Sequence, residues 1–359
     1  MSENDSIVAE TAARIFTDLA DPQSLTSAKD DTWQAPLWQA LEDSGLTLAW
    51  VPDELGGAGA GIADGFEVIS VAGRFAAPVP IAETLLAGWL LSQAGITSPA
   101  GMMSVAPMRP GDRLTLNDDG TISGRARGVA YAGLADHLAV LAHGGKGLVV
   151  ALMPAKAARI AERLGISGDK VYEVMFESAR PLHLADAPAG LDQNALMLMG
   201  AATRSLSTAG ALAAILDISV RYAGERVAFE RTISKFQAVQ HNLARLAGES
   251  AAANAAATSA ADAISTANGD AGAITSPGLF LEVAAARIRS AEAATEGAAI
   301  AHQVHGAIGY TREHILHRFT RALLTWRDDF GNESQWAVDL GNRVAAAGSE
   351  ALWPLVASR

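Results

Sequence analysis

The 359-residue sequence is long enough for one large or two ordinary domains with a sizeable core, which excludes short consensus modules and disulfide-stapled miniproteins. Half of the residues are hydrophobic and 18% are charged, which argues against a disordered chain or a coiled coil. The net charge of −12 disfavours nucleic acid as a partner, and the lack of cysteine excludes disulfides, thiolate nucleophiles and cysteine-based metal sites.

Residues 1–97 are predicted to form a helical domain. Apolar residues recur at helical spacing in stretches near 7–19, 33–41, 62–75 and 81–94, and a glycine-rich loop lies between the second and the third. The N-terminus is acidic and lacks the basic and apolar regions of a signal peptide. The most apolar stretch, Ala82 to Ile96, is broken by polar residues. We therefore expect a cytoplasmic protein with no membrane span.

Residues 98–194 are predicted to form a central β domain. Leu114 to Leu116, the polar turn at 117–120 and Thr121 to Ser123 make a hairpin pattern. Further short β-rich runs continue to about Asp192. Their short spacing is typical of a small barrel or sheet.

Residues 195–359 are predicted to form a helical bundle. Long apolar patterns run through Leu206 toward Phe229, over 236–264 and over 279–305, with two shorter helices near 313–326 and after Asn332. Alanine-rich faces such as 251–263 allow close contact between helices. The predicted fold class is thus α+β, with an N-terminal helical domain, a small central β domain and a C-terminal four-helix bundle.

Three segments of the C-terminal half carry a resemblance to a known family. They are 222–241 with its Tyr-Ala-Gly-Glu-Arg-Val-Ala-Phe start, 303–313 with Gln-Val-His-Gly-Ala-Ile-Gly-Tyr, and 327–333 with Arg-Asp-Asp-Phe-Gly-Asn-Glu. Together with the three-part plan and the loop at 51–57, they make the sequence similar to the acyl-CoA dehydrogenase family over nearly its whole length.

The resemblance implies a flavoprotein of lipid metabolism. A carboxylate removes the α-proton of an acyl-CoA while the β-hydride passes to FAD. Arg226, Phe229 and Gln237 match residues that reach FAD across a subunit interface, and Gln303 and Gly306 match a second contact of that kind. Taken singly, Arg226 has an ordinary alternative as a surface or ion-paired arginine, Phe229 as a core residue and Gly306 as a turn glycine.

The sequence departs from the family at the catalytic base. The family places a glutamate immediately before the glycine of the third segment, where this chain has Phe330. A minority of members place it before the arginine of the long helix, where this chain has Thr203 ahead of Arg204. Asp329 is the candidate base; its alternative role is that of an ion-paired loop acid near Arg327.

The central segment also departs from the family. The family stretch that wraps the flavin ring is replaced by Met102 to Met108, and the tryptophan-containing strand is reduced to 128–132. Residues matched to contacts across an interface are thus retained, while those matched to a subunit's own flavin ring are lost. This pattern resembles the degenerate subunit of bacterial α2β2 acyl-CoA dehydrogenases.

Three hypotheses follow from these residues. The chain is a subunit that shares FAD and acyl-CoA sites with a paralogous chain in a heterotetramer, or it is a self-sufficient homo-oligomer that uses Asp329 as base. The third is a non-catalytic scaffold or regulatory subunit of such a complex. No metal site is expected, since the eight histidines show no helical His-x-x-x-His pair with a carboxylate.

Overall fold

The N-terminal region is helical, as predicted. A computed structural model describes residues 7–28, 30–109, 111–165 and 170–357. The first helices are α1 (Ile7–Leu19), α2 (Pro22–Ser27), α3 (Gln34–Asp43), α4 (Ile62–Phe75) and α5 (Ile81–Gln93). The short α2 was not predicted, although Asp21 caps its first turn and proline opens it. α5 is buried from Ile81 to Leu91 on every face, so it is a core helix.

The central region is an open mixed sheet, which is one of the two predicted forms. Its described strands are β1 (Met103–Ala106), β2 (Arg113–Leu116), β3 (Ile122–Val129), β4 (His137–His143), β5 (Leu148–Pro154), β6 (Arg159–Leu164), β7 (Lys170–Ala179) and β8 (His183–Asp186). They pair in the order β6-β7-β3-β2-β4-β5-β8, and β1 adds to β4. β1 and β2 both run parallel to β4, whereas the other neighbours are antiparallel. Leu116 faces Ile122 across the predicted hairpin.

Four helices pack into the C-terminal bundle. In chain order this region holds α6 (Gln193–Glu225), β9 (Val227–Ala228), β10 (Arg231–Thr232), α7 (Gln237–Thr266), α8 (Ala271–Ile274), α9 (Pro277–His305), α10 (Leu316–Trp326), α11 (Glu333–Ala347) and α12 (Ser349–Ala357). The bundle consists of α6, α7, α9 and α10. α6 begins well before the predicted start near Leu206, with Asp192 accepting a hydrogen bond from the amide of Ala195 at 2.8 Å. The boundary proposed at residue 195 therefore falls within the first turn of α6, and the domain limits remain a proposal.

α6 is the one described helix that is long and apolar enough to cross a membrane, whereas the sequence analysis expected no membrane span. In its most apolar stretch, 67% of the residues are buried inside the protein. This burial is typical of the core helix of a folded domain. The cytoplasmic location stays a prediction.

The crossing of α4 and α6 depends on two glycines. A Cβ atom on Gly73 would lie 2.4 Å from the carbonyl oxygen of Ser207, and one on Gly210 would lie 2.2 Å from that of Ser70. The two helix backbones are therefore in direct contact, and no side chain fits between them.

We expect Gly210→Ala to lower the free energy of unfolding by about 1–3 kcal/mol, because the added methyl group pushes α4 and α6 apart. Gly224→Ala is the matched control on the same helix. Nothing lies within 4 Å of its added Cβ, and the change should stabilise the protein by about 0.5–1 kcal/mol. Urea denaturation measures both values, and equal effects of the two variants would contradict the tight crossing.

Candidate functional site

A buried ion-pair cluster links the N-terminal helices to the bundle. Arg204, on α6, is only 2% exposed. Its Nη2 donates to Oε1 of Glu83 on α5, and its Nε donates to Oδ2 of Asp329 at 2.9 Å. One guanidinium thus holds two carboxylates from opposite parts of the chain.

A second buried arginine fixes the loop that carries Asp329. Arg287, on α9, donates to the backbone carbonyl oxygens of Trp326, Arg327 and Asp329 at 2.6–2.7 Å and to that of Gly331 at 3.2 Å. These bonds tie the last residue of α10 to the loop that follows it. The positive charge of Arg287 also stabilises the ionised carboxylate of Asp329.

Burial sets the protonation of this cluster. Loss of water raises the pKa of Asp329, and the neighbouring Arg204 opposes that rise. The two carboxylates outweigh the effect of burial on Arg204 and raise its pKa, so Arg204 remains charged. Burial lowers the pKa of Arg287 to about 10.

The structure places Asp329 as an ion-paired acid, but its partner is Arg204 and not Arg327. Arg327 instead reaches Asp328, at 3.5 Å. The Asp329 side chain is 15% exposed, at the wall of a cavity. Its role as a base remains a prediction, and it would require Asp329 to act while bound to Arg204.

The two positions at which the family carries glutamate hold buried, non-acidic side chains. Phe330 is fully buried and has φ of +53°. Its ring packs so closely on α6 that a Cβ on Gly200 would lie 2.2 Å from it. Thr203 is also buried, and its hydroxyl donates to the carbonyl oxygen of Met199 at 2.9 Å.

The cavity beside Asp329 has a volume of about 450 Å³. It lies where the end of β3 and the strands β6 and β7 approach α10. Residues at its wall include Tyr131, Tyr172, Arg204, Arg318, Trp326 and Asp329. The sequence analysis did not predict this cavity, because its wall comes from segments far apart in the chain.

The strand that replaces the family's flavin-wrapping stretch is closed to a ligand. All four residues of β1 are buried. The backbone N–H of Met103 donates to Oγ1 of Thr84 at 3.0 Å, and that hydroxyl donates back to the carbonyl of Met103 at 3.2 Å. The hydroxyl of Ser104 donates to the carbonyl of Ala130 at 2.6 Å. The polar groups of this strand are therefore bonded within the protein.

The five predicted cofactor contacts are exposed on the single chain. Arg226 follows α6 and Gln237 begins α7, while Gln303 and Gly306 lie in the last turn and at the cap of α9. Phe229 is 88% exposed, so the alternative that it is a core residue is wrong for the isolated chain. It lies at the tip of the β9–β10 hairpin.

The hairpin tip is strained in a way that favours a binding role. Phe229 and Glu230 adopt φ of +51° and +65°, the left-handed region that a two-residue hairpin requires and that glycine or asparagine normally fills. A bulky residue held in this region is uncommon and occurs most often at functional sites. The strain therefore supports the interpretation that the chain presents Phe229 to a ligand.

Tyr222 joins the ends of α6 and α9. Its hydroxyl donates to the carbonyl of His305 at 3.2 Å, and its ring stacks on the His305 imidazole with centroids 4.4 Å apart. The helix ends that carry Arg226 and Gly306 therefore lie side by side. The exposed contact residues thus gather at one end of the bundle.

Asp329 lies away from this end, beside the N-terminal halves of α6 and α9. Arg204 precedes Tyr222 by 18 residues on α6, and Arg287 precedes His305 by 18 residues on α9. At 1.5 Å per residue, each interval spans about 27 Å. The structure therefore brings the five cofactor candidates together but keeps them far from Asp329.

A cluster of histidines lies at the C-terminal end of α9, beside the exposed contact residues. The sequence analysis did not identify this cluster. His305 shares a hydrogen bond with the carbonyl of Ala301 at 2.8 Å and meets the ring of His314 at 4.7 Å. His302 stacks on Tyr310 with centroids 4.2 Å apart. Burial lowers the pKa of His305 to about 4, and neighbouring His314 and His302 contribute. The His-x-x-His spacing at 302–305 was the signal in the sequence.

Comparisons with known proteins agree on one family. The family described as acyl-CoA dehydrogenase, C-terminal domain, matches residues 191–331. The protein "Acyl-CoA dehydrogenase IpdE2" of Mycobacterium tuberculosis is 27% identical over 320 residues, which cover 88% of this chain and 90% of that protein.

Solved structures show the same fold. One chain of the ChsE4–ChsE5 complex from Mycobacterium tuberculosis superimposes with a TM-score of 0.80 at 21% identity, covering 96% of this chain and 99% of that one. The FAD complex of PigA superimposes with a TM-score of 0.80 at 17% identity, covering 97% and 99%.

We expect Phe330→Ala to lower the free energy of unfolding by about 3–5 kcal/mol, because it leaves a cavity against α6. Phe229→Ala is a matched control, since the two phenylalanines share nearly the same positive φ and differ in burial. The control should change stability by less than about 0.5 kcal/mol. Denaturation in urea compares the two, and a small loss for Phe330→Ala would contradict its place in the core.

We expect the free energy of unfolding to fall as the pH is lowered from 6.5, the ordinary pKa of histidine, toward about 4, the pKa of His305 in the folded chain. The unfolded chain takes up the proton first because the pKa of His305 is lowered in the folded state, whereas above pH 6.5 the group contributes no pH dependence. His305→Gln should make this decline shallower, because the unfolded variant has one protonatable imidazole fewer. Denaturation midpoints between pH 4 and 8 test this, and an unchanged slope in His305→Gln would argue against it.

Proposed function

Because this chain belongs to the acyl-CoA dehydrogenase family, we propose that it is a subunit of an FAD-dependent enzyme that dehydrogenates an acyl-CoA thioester at its α and β carbons. We further propose that it completes a flavin site of a paralogous chain. The observation that carries the proposal is the distance of about 27 Å between the exposed contact residues and the buried Arg204–Asp329 cluster. The end of the chain that presents the cofactor contacts therefore lies far from Asp329, the candidate catalytic carboxylate of the same chain.

The exposed end fits the dinucleotide part of FAD. Arg226 supplies a cation for the diphosphate, and the amides of Gln237 and Gln303 supply donors and acceptors. Gly306 has φ of +64°, and nothing lies within 4 Å of the position of its missing Cβ, so a ligand can approach the backbone closely. Phe229 offers an exposed aromatic face.

The chain's own ring site does not fit a flavin. The residues of β1 are buried and bonded to Thr84 and Ala130, and Phe330, at the sequence position of the family's base, is buried against Gly200. A flavin ring held by this chain alone would need those groups to be displaced. We infer that the ring and the base belong to the partner chain.

The known proteins support a partner of the same family. The ChsE4–ChsE5 structure is, by its description, a complex of two different chains, and this chain has the fold of one of its chains. The PigA structure holds FAD on the same fold. A heterotetramer with a paralogous chain is therefore our preferred assembly.

The positions of the exposed contacts and of the buried cluster indicate a different role for each of the two chains. FAD, when bound, supplies the acceptor for the β-hydride. Arg226 neutralises the charge of the diphosphate, and the backbone at Gly306 allows its close approach. Arg204 and Arg287 hold Asp329 and its loop in place, and this arrangement keeps the carboxylate of this chain in an ion pair. The partner supplies the carboxylate that removes the α-proton.

The test is to purify the chain alone and together with a paralogous acyl-CoA dehydrogenase chain and to record the visible spectrum and mass of each. We expect the absorbance of oxidised flavin only in the mixed complex. Arg226→Gln should reduce the flavin content of that complex without dissociating it, because the diphosphate loses a cation. Arg14→Gln, at an exposed site on α1, is the control with the same change of charge.

Other outcomes would contradict the shared site. Flavin bound to the chain alone would favour a self-sufficient enzyme, and Asp329→Asn should then abolish turnover while the flavin spectrum stays intact. A colourless complex would favour the scaffold hypothesis. Full flavin content in the Arg226→Gln complex would remove Arg226 from the site.

A further inference from the structure

A row of arginines crosses one face of the central sheet, and the flavin proposal does not use it. Arg113 on β2 lies directly opposite Arg125 on β3. Arg125 in turn lies opposite Met175 on β7, and Met175 lies opposite Arg159 on β6. Residues paired in this way point to the same face of a sheet. The three arginines and Met175 therefore form one row across four strands, about 14 Å long.

Two further arginines widen this row along the strands. Arg127 follows Arg125 by two residues and Arg163 follows Arg159 by four, so each lies on the same face as the residue it follows. We call this side of the sheet the arginine face; its five arginines, all exposed, are Arg113, Arg125, Arg127, Arg159 and Arg163. The opposite side is apolar and buried, at Leu114, Ala126, Val174 and Phe176. The sheet thus turns its arginines to solvent and its apolar residues to the core.

Acidic residues compensate only part of the charge on the arginine face. Glu173 pairs with Arg125 at 3.4 Å and with Arg163 at 3.2 Å. Asp112 pairs with Arg127 at 2.7 Å, and its other oxygen accepts a hydrogen bond from the backbone N–H of the same residue. Both carboxylates are therefore engaged with three of the five arginines.

Arg113 and Arg159 have no ion-pair partner within the part of the chain that the structure describes. Like charges that face each other across two strands destabilise a sheet, so the pairing of Arg113 with Arg125 is unfavourable on its own. Burial lowers the pKa of His143 on β4, and the charge of Arg113 lowers it further. Glu177 borders the row on β7. A negatively charged partner would relieve the repulsion within the row.

The composition of the arginine face fits a protein partner. Its arginines extend over about 14 Å across the strands and about 13 Å along β6, which is more than one small anion can bridge. Arginine and methionine are enriched at protein–protein interfaces, whereas lysine is depleted, and this face combines arginines with Met175. The net charge of −12 on the whole chain repels the extended negative charge of nucleic acid or of an anionic membrane.

We propose that the arginine face docks an acidic segment of a protein partner, with carboxylates of that segment on the guanidinium groups of Arg113, Arg125 and Arg159. A planar guanidinium matches a carboxylate with two parallel N–H donors. Tyr172, which lines the cavity beside Asp329, points from β7 to the opposite side of the sheet. The docking surface is therefore separate from that cavity and from the exposed flavin contacts.

The experiment measures the fluorescence anisotropy of labelled peptides mixed with the full-length chain. The probe is a short peptide of alternating glutamate and serine, and its neutral control has glutamine in place of glutamate. We expect the acidic peptide to bind at least about tenfold more tightly than the neutral one, because only its carboxylates pair with the arginines. Raising the salt concentration should weaken this binding, since exposed charges are screened.

Variants locate the surface. Arg113→Gln combined with Arg159→Gln should weaken binding of the acidic peptide about fivefold, because each exposed ion pair contributes modestly. Arg14→Gln combined with Arg343→Gln, on α1 and α11, removes the same charge elsewhere and should leave binding unchanged. Met175→Glu should block binding, because it places a carboxylate within the row. Thermal unfolding shows that each variant is folded, and loss of Arg113 should not lower stability because it removes a repulsion.

Several results would overturn the proposal. They are the absence of acidic-peptide binding, equal binding of the acidic and neutral peptides, or unchanged binding in the folded double variant of Arg113 and Arg159. Tighter binding of a single-stranded oligothymidylate would assign the face to nucleic acid instead. Cosedimentation with phosphatidylserine vesicles that the double variant loses would assign it to a membrane. None of these results bears on the flavin content of the complex, so the two proposals fail independently.

Discussion

The buried guanidinium of Arg204 is the constraint on which the arrangement of the site depends. A charge that is 2% exposed must be compensated by partners of opposite charge, and Glu83 and Asp329 provide them from α5 and from the loop after α10. Removing either partner would leave a buried charge uncompensated, at a cost of about 3–5 kcal/mol. The ion pairs thereby fix α5, α6 and the loop after α10 relative to one another.

The same constraint decides what the loop can do. Arg287 binds the loop's carbonyl groups and Arg204 binds Asp329, so the carboxylate of Asp329 at the cavity wall is already engaged. The next residue, Phe330, turns into the core against Gly200. The family removes the α-proton with a free carboxylate at this place, and a single chain offers no free carboxylate in the described loop.

The lengths of α6 and α9 then separate the exposed cofactor contacts from the Arg204 cluster. Because α6 and α9 are continuous over the interval, the exposed contacts at their C-terminal ends are fixed about 27 Å from the Arg204 cluster. A rigid separation of this size favours sites completed between chains over sites within one. The histidine and tyrosine stack at Tyr222 holds the two helix ends together and so keeps the contact residues on one surface.

Periodicity alone predicted the order of helices, sheet and bundle, because amphipathic helices and the 114–123 hairpin each bury a face that their own residues define. It located most helices to within a few residues. It failed where local signals were weak. α6 is buried on nearly all sides at its start, α12 contains Pro354, β1 has only four residues, and β6 carries charged residues at three of its six positions.

The sequence also determined the family, since the motif residues lie close together within segments of the chain. Tertiary structure decided the rest. The partners of Arg204 lie 121 and 125 residues away, and the cavity is built from strands and helices distant in sequence. No local sequence pattern predicts which charged residues form ion pairs, because burial and pairing arise only when the helices pack. The exposure of Phe229 and the burial of Phe330, two phenylalanines with similar backbones, are set by that packing alone.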